Sequence, residues 1–219
     1  RPKSSAASDV YKRQTIPIQQ ATLYIPDLPR TKSDLSAERK PQQASGVHQV
    51  QIAEFPFSRG GVRAAYYARV KANGKGDWKP YVAKQFLEPR HRANPDEYLG
   101  QLENNGVLMY LAKEWMKTPL ARGKPKIECI ESRAIEVSAA GGDGGGGGRV
   151  WYHLEKLIDG TFDKWTDNSG KVFEPRENRV LLEFAKWTHD WTRGLMMATD
   201  LQGCKSVSYT HLRAHETEE

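Results

Sequence analysis

Asp200-Leu201-Gln202-Gly203 holds two side chains suited to a divalent cation. In extended chain, residues two apart share a face, because side chains alternate along a strand. A carboxylate and a carboxamide there are hard oxygen donors, fit to hold Mg²⁺ beside a nucleotide's phosphates. The same four residues also read as a strand end and a turn, with Asp200 capping and Gly203 at positive φ. Gly60-Gly61 would let backbone N–H groups approach an anion closely, and Arg63 follows within reach of a phosphate. Lys84 sits in Val82-Ala83-Lys84, an apolar strand interior where an unpaired ammonium is costly. It either faces solvent or reaches an anionic partner. Glu155 ends a strand and reads either as the lining of an adenine pocket or as an ordinary exposed acid.

The elements that must carry these residues follow from periodicity and punctuation. Val50–Phe57, Val62–Val70 and Trp78–Phe86 read as three strands, joined by a turn at 58–61 and by Asn73-Gly74, which together predict an antiparallel meander. Asn94-Pro95-Asp96-Glu97 opens a helix that ends near Lys117, before Pro119. Gly106 lies inside it, at a cost of about 1 kcal/mol relative to Ala. Residues 126–137 read as one strand, Gly141–Gly148 as a hairpin connection, and Arg149–Glu155 as the returning strand. Asn178 caps a second helix, to about Arg193, whose stripe of Val180, Leu181, Phe184, Trp187, Thr188 and Trp191 reads as core. Leu195–Thr199 reads as a buried strand delivering Asp200.

The 219 residues suffice for one domain with tails. No apolar run is long enough for a spanning helix, and no apolar segment follows the N-terminus as a secretory signal would. Two cysteines, Cys129 and Cys204, argue against a disulfide scaffold and for a reducing, cytoplasmic setting. The net charge is +6, but residues 1–45 hold eight Lys/Arg against four Asp/Glu and residues 205–219 two against three, which leaves 46–204 at +3 and speaks against nucleic-acid binding. Residues 1–45 are expected to be disordered on composition. Lys3–Gln14 and Val207–Thr217 resemble translated adapter sequence, so the expected domain is 46–204, with a non-native tail at 205–219.

The order of glycine turn, strand lysine, helix, strand pair, linker, helix and Asp-Leu-Gln-Gly resembles the α-kinase family. These are the atypical Ser/Thr protein kinases that include elongation-factor kinases, myosin-heavy-chain kinases and channel-kinases. The resemblance covers about residues 48–204. It rests most on Phe184–Gly194 running into Thr199–Gly203, with Phe57–Arg63, Tyr66-Tyr67-Ala68, Val82-Ala83-Lys84 and the spacing Gly160, Phe162, Lys164, Trp165, Asn168, Gly170.

The resemblance implies an α+β, two-lobed, protein-kinase-like fold: an antiparallel N-lobe sheet with one helix, and a truncated C-lobe. It implies ATP, Mg²⁺ and a protein Ser/Thr substrate. Lys84 would contact the α/β-phosphates, with Gly60, Gly61 and Arg63 in the phosphate-side loop and Glu155 at the adenine-side linker. Asp200 and Gln202 would hold Mg²⁺, and Lys84 and Gln202 would serve catalysis.

The chain departs from the family in three places. Cys204-Lys205-Ser206-Val207-Ser208-Tyr209 stands where the family carries its catalytic Asp. Lys186 stands at the position of a zinc-binding His, with His189 out of register, so the family's zinc is doubtful here. Trp115-Met116 replaces a frequent Phe-Asn. These departures keep a second expectation open, a nucleotide-binding pseudokinase or scaffold. A basic nucleic-acid module is a weaker third.

Overall fold

The computed structural model describes residues 16–138, 148–158, 160, 162–173, 179–205 and 209–213. In chain order the strands before the first helix are β1 (Gln19–Ile25), β2 (Gln42–Gln43), β3 (His48–Ile52), β4 (Ser58–Arg59), β5 (Arg63–Lys71) and β6 (Lys79–Phe86). Helices α1 (Pro89–Arg92) and α2 (Pro95–Trp115) follow, then β7 (Lys126–Cys129), β8 (Ser132–Ser138), β9 (Arg149–Lys156) and β10 (Phe162–Lys164). Helix α3 (Arg179–Thr192), β11 (Gln202–Lys205) and β12 (Tyr209–Arg213) complete the order. The architecture is the expected α+β, kinase-like one, built as two units. Unit 1 comprises Arg1–Pro26, Lys40–Leu102 and Ser132–Ile158; unit 2 comprises Asp27–Arg39, Glu103–Glu131 and Asp159–Glu219.

In unit 1 the predicted strands form, and the sheet closes on itself. β1, β3, β5, β6, β9 and β8 pair antiparallel in that order, and β8 pairs back to β1. The expected meander is thus three staves of a six-stranded barrel. Its interior holds Leu23, Val50, Ala68, Val70, Ala83, Ile135, Val137 and Leu154. The closing strand lies inside the stretch expected to be disordered, and for residues 16–45 that expectation fails. Ala21 and Leu23 are buried at a spacing of two amid polar neighbours, and this alternation supplies the barrel's missing strand. Residues 1–15 lie outside the described residues.

Asn94 caps α2 as predicted, accepting from the Asp96 N–H at 3.1 Å. The start of α2 serves unit 1, where Tyr98 and Leu102 join Phe86, Ala134 and Trp151 in a buried cluster.

In unit 2, β10, β11, β12 and β7 form a second sheet. Its core joins Leu35, Leu108, Leu111, Trp115, Ile127, Trp165, Leu181, Phe184 and Leu201. The α3 stripe is core, as expected: Leu181, Phe184 and Thr188 are fully buried, and Trp187 packs against Trp115 at 5.5 Å between ring centroids.

Two further expectations are corrected here. Residues 126–137 are not one strand, because the chain breaks between β7 and β8; Asn105 Nδ2 donates to the Ile130 carbonyl at 2.9 Å and fixes the break. Leu195–Thr199 is not a strand. The Met196 and Ala198 N–H groups donate to the hydroxyls of Thr192 and Thr188 on α3, so no ladder forms, and Leu195 is 58% exposed. Tyr209–Arg213, within the segment 205–219, forms β12, antiparallel to β11 and parallel to β7. Asn178 and most of the glycine loop lie outside the described residues.

Candidate functional site

Lys84 on β6 and Glu155 on β9 are set by register. Lys84 lies opposite His153 and Val82 opposite Glu155, so all four share one face, the one opposite Ala83 and Leu154 in the barrel interior. Across that diagonal the Lys84 ammonium donates to Glu155 Oε2, with the two side chains only 12% and 9% exposed. Neither of the simple readings, a solvated Lys84 or an exposed Glu155, describes them. The neighbouring His153 is buried, its Nε2 2.7 Å from the Tyr98 carbonyl. Burial raises the Tyr98 phenol to about 12.

The glycine turn joins β4 to β5. The Gly60 N–H is already used, donating to the Arg63 carbonyl at 2.8 Å. Gly61 opens outward: a Cβ added there would meet nothing within 4 Å. Arg63 lies opposite Phe86, with its guanidinium carbon 4.4 Å from the ring centroid. The turn therefore offers Gly61 to an incoming group, while Arg63 rests on an aromatic face.

In unit 2, Asp200 stands just before β11 in the left-handed region, at φ 49°. A short polar side chain tolerates this conformation. Asp200 and Gln202 do converge, though not as neighbours on one strand: Gln202 Nε2 donates to Asp200 Oδ2 at 2.9 Å. Asp200 Oδ1 is buried and 2.6 Å from Lys164 Nζ, without hydrogen-bond alignment. Lys164 faces Gln202 across the β10–β11 ladder.

A cation thus already stands at the carboxylate oxygen where a metal would be held, and this donor set fits Mg²⁺. With its amide turned to present Oε1, Gln202 adds a second hard oxygen, and phosphate oxygens and water would complete the shell. Among the described residues no group of three or more His, Cys, Asp or Glu gathers as a metal cage. Lys186, at the expected zinc position, is salt-bridged to Asp190 at 2.9 Å, which raises the ammonium and lowers the carboxyl from their ordinary values. His189 is about half exposed, 3.5 Å from Asp190. The Cys129 thiol is pushed up by burial, and its Sγ donates to the Leu108 carbonyl at 3.5 Å.

Sequence reasoning missed the segment that holds Asp200. Lys164, Thr166 and Asp167 are 33 or more residues away in the chain, and only pairing between β10 and β11 brings them together. Their one legible signal was the Lys164-Trp165 spacing within the glycine-bounded stretch.

The family model described as the Alpha-kinase family matches residues 58–219. Human eukaryotic elongation factor 2 kinase is 26% identical over 172 residues, which is 76% of this chain and 22% of that protein. The chain therefore spans about a fifth of the length of that relative. Human transient receptor potential cation channel subfamily M member 6 is 36% identical over 55 residues, 24% of this chain and 3% of that one. Among solved structures, an alpha kinase from Entamoeba histolytica matches with a TM-score of 0.69 and 22% identity, over 91% of this chain and 76% of that one. The inactive alpha-kinase domain of myosin heavy chain kinase A in complex with ATP matches with a TM-score of 0.65 and 16% identity, over 90% and 82%.

Proposed function

This chain belongs to the alpha-kinase family, and from that premise we propose that it is the nucleotide-binding part of a protein Ser/Thr kinase using ATP and Mg²⁺. The observation that carries the reading is the buried Lys84–Glu155 pair, an ammonium fixed by strand register in an apolar sheet. Lys84 engages the α/β-phosphates, Gly60, Gly61 and Arg63 border them, and Glu155 holds Lys84 in place. Asp200 and Gln202 hold the metal. When bound, Mg²⁺ offsets charge on the phosphate oxygens. Catalysis is then positioning and charge stabilisation: the bond between the γ-phosphorus and the bridging oxygen breaks as a Ser or Thr oxygen bonds that phosphorus.

The hydroxyl proton needs an acceptor, and residues 204–214 contain no Asp or Glu. We therefore propose Mg·ATP binding for this chain, with phosphotransfer to a cytoplasmic protein as the activity of the kinase it represents. No helix among the described residues is long and apolar enough to cross a membrane. A second reading, a nucleotide-binding pseudokinase or scaffold, draws on that missing carboxylate and on Lys186 at the zinc position. The test is labelled ATP and basic protein substrates incubated with the longer kinase that carries this domain, followed by phosphoamino-acid analysis. Phosphoserine or phosphothreonine that vanishes in Lys84→Met supports the kinase reading; ATP binding without any transfer favours the pseudokinase.

A further inference from the structure

We propose that Thr166 is a positioning residue for Asp200, and that the segment Trp165–Asp167 is a clamp holding that carboxylate ready for a divalent cation. The inference rests on the reading of Asp200 as a metal ligand. Asp200 adopts a backbone conformation that non-glycine residues rarely keep unless their surroundings enforce it. Among the described residues, the backbone hydrogen bonds at 200–201 run to one short stretch. The Asp200 N–H donates to the Asp167 carbonyl at 2.9 Å, and the Trp165 and Thr166 N–H groups both donate to the Leu201 carbonyl, at 2.8 and 3.2 Å.

A further bond to this backbone is made by a side chain. The Leu201 N–H donates to Thr166 Oγ1 at 2.8 Å, with Thr166 and Leu201 both buried. A buried N–H has no water to fall back on, so that hydroxyl fixes the peptide joining Asp200 to Leu201. The peptide's orientation decides where the Asp200 carboxylate points.

The clamp is itself braced. Asp167 Oδ1 accepts from the Ser169 N–H at 3.0 Å, the Ser169 hydroxyl at 2.7 Å and the Lys171 N–H at 2.9 Å. These bonds, the hydroxyl's first, lower the Asp167 carboxyl from its usual range. The turn at 167–171 therefore stays closed, and the Asp167 carbonyl stays aimed at Asp200. The arrangement separates two jobs. Asp200 and Gln202 supply oxygens to the ion, while Thr166 touches neither ion nor nucleotide and acts only through the backbone.

The test is Mn²⁺ binding to the full 219-residue chain, followed by electron paramagnetic resonance. Thr166→Val keeps the shape and removes the acceptor; about tenfold weaker binding is expected, equal to about 1.4 kcal/mol. Thr166→Ser restores the hydroxyl and should restore affinity to within about twofold. Leu181→Ala, a core change elsewhere in unit 2, should lower stability and leave Mn²⁺ affinity unchanged. Wild-type affinity in Thr166→Val, or loss in Thr166→Ser equal to that in Thr166→Val, overturns the positioning role while leaving Asp200 as ligand. Mn²⁺ binding that survives Asp200→Asn, or is absent from the wild type, overturns the metal reading and this inference with it.

Discussion

The Lys84–Glu155 and Lys164–Asp200 pairs have the same chemistry and opposite construction. In unit 1 both partners are buried on neighbouring strands, at 12% and 9% exposure, and strand register fixes their approach. In unit 2 the acid is buried at 6% but its lysine is 43% exposed, and the acid's place is set by a turn rather than by a ladder. The difference teaches what each pair can exchange. A doubly buried pair cannot release one member without leaving the other's charge buried, so Lys84 is a fixture of the sheet. A buried acid with a half-exposed cation can trade that cation for another, as a metal site requires.

The largest effect should come from breaking the buried pair. Lys84→Met leaves Glu155 without its cation and should cost about 3–5 kcal/mol of unit 1 stability, read by urea unfolding. Adding Glu155→Gln should recover much of that loss. Equal stability of the Lys84→Met single variant and the wild type would show that the pair is not buried in solution.

The matching change in unit 2, Lys164→Met, should cost less, about 1–3 kcal/mol. Asp200 keeps the Gln202 amide as a donor, and the lysine loses little that water did not already give it. A cost as large as that of Lys84→Met would erase the distinction between the two pairs.

A smaller effect separates the units by pH. His48, at the β1–β3 pairing, is held below its ordinary value by burial first and by the Arg133 charge as well. The unfolded chain then binds the proton more readily than the folded one. The contribution is therefore intact above the unfolded value of about 6.5 and lost as pH falls below it. Unfolding midpoints between pH 5.5 and 7.5 should show this loss, and His48→Gln should flatten it.

Much of this was legible because it lay in short-range pattern. Val82-Ala83-Lys84 marked a lysine that either faces solvent or reaches an anion, which the structure resolves as a pair with Glu155, and Asn94-Pro95 marked the start of α2. The carboxylate–carboxamide spacing at Asp200 and Gln202 found a convergent pair, although the strand invoked for it begins only at Gln202. What escaped was non-local. A seven-residue alternation at β1 disappears into the polar composition of residues 1–45, yet its pairing with β3 and β8 closes the barrel. Leu195–Ala198 has the apolar content of a strand, but Thr188 and Thr192 take its N–H groups. Nothing near Asp200 in sequence signals that Thr166 fixes its backbone.

The central claim is that Lys84 holds the nucleotide. Calorimetric titration of ATP, with and without Mg²⁺, into wild type, Lys84→Arg and Lys164→Met tests it most directly. Lys84→Arg keeps the positive charge beside Glu155 and so protects the fold. The account predicts at least tenfold weaker ATP binding in Lys84→Arg under both conditions, because a planar guanidinium does not reproduce a compact ammonium. It predicts binding within about threefold of wild type in Lys164→Met without Mg²⁺. Undiminished ATP binding in a folded Lys84→Arg variant would contradict it.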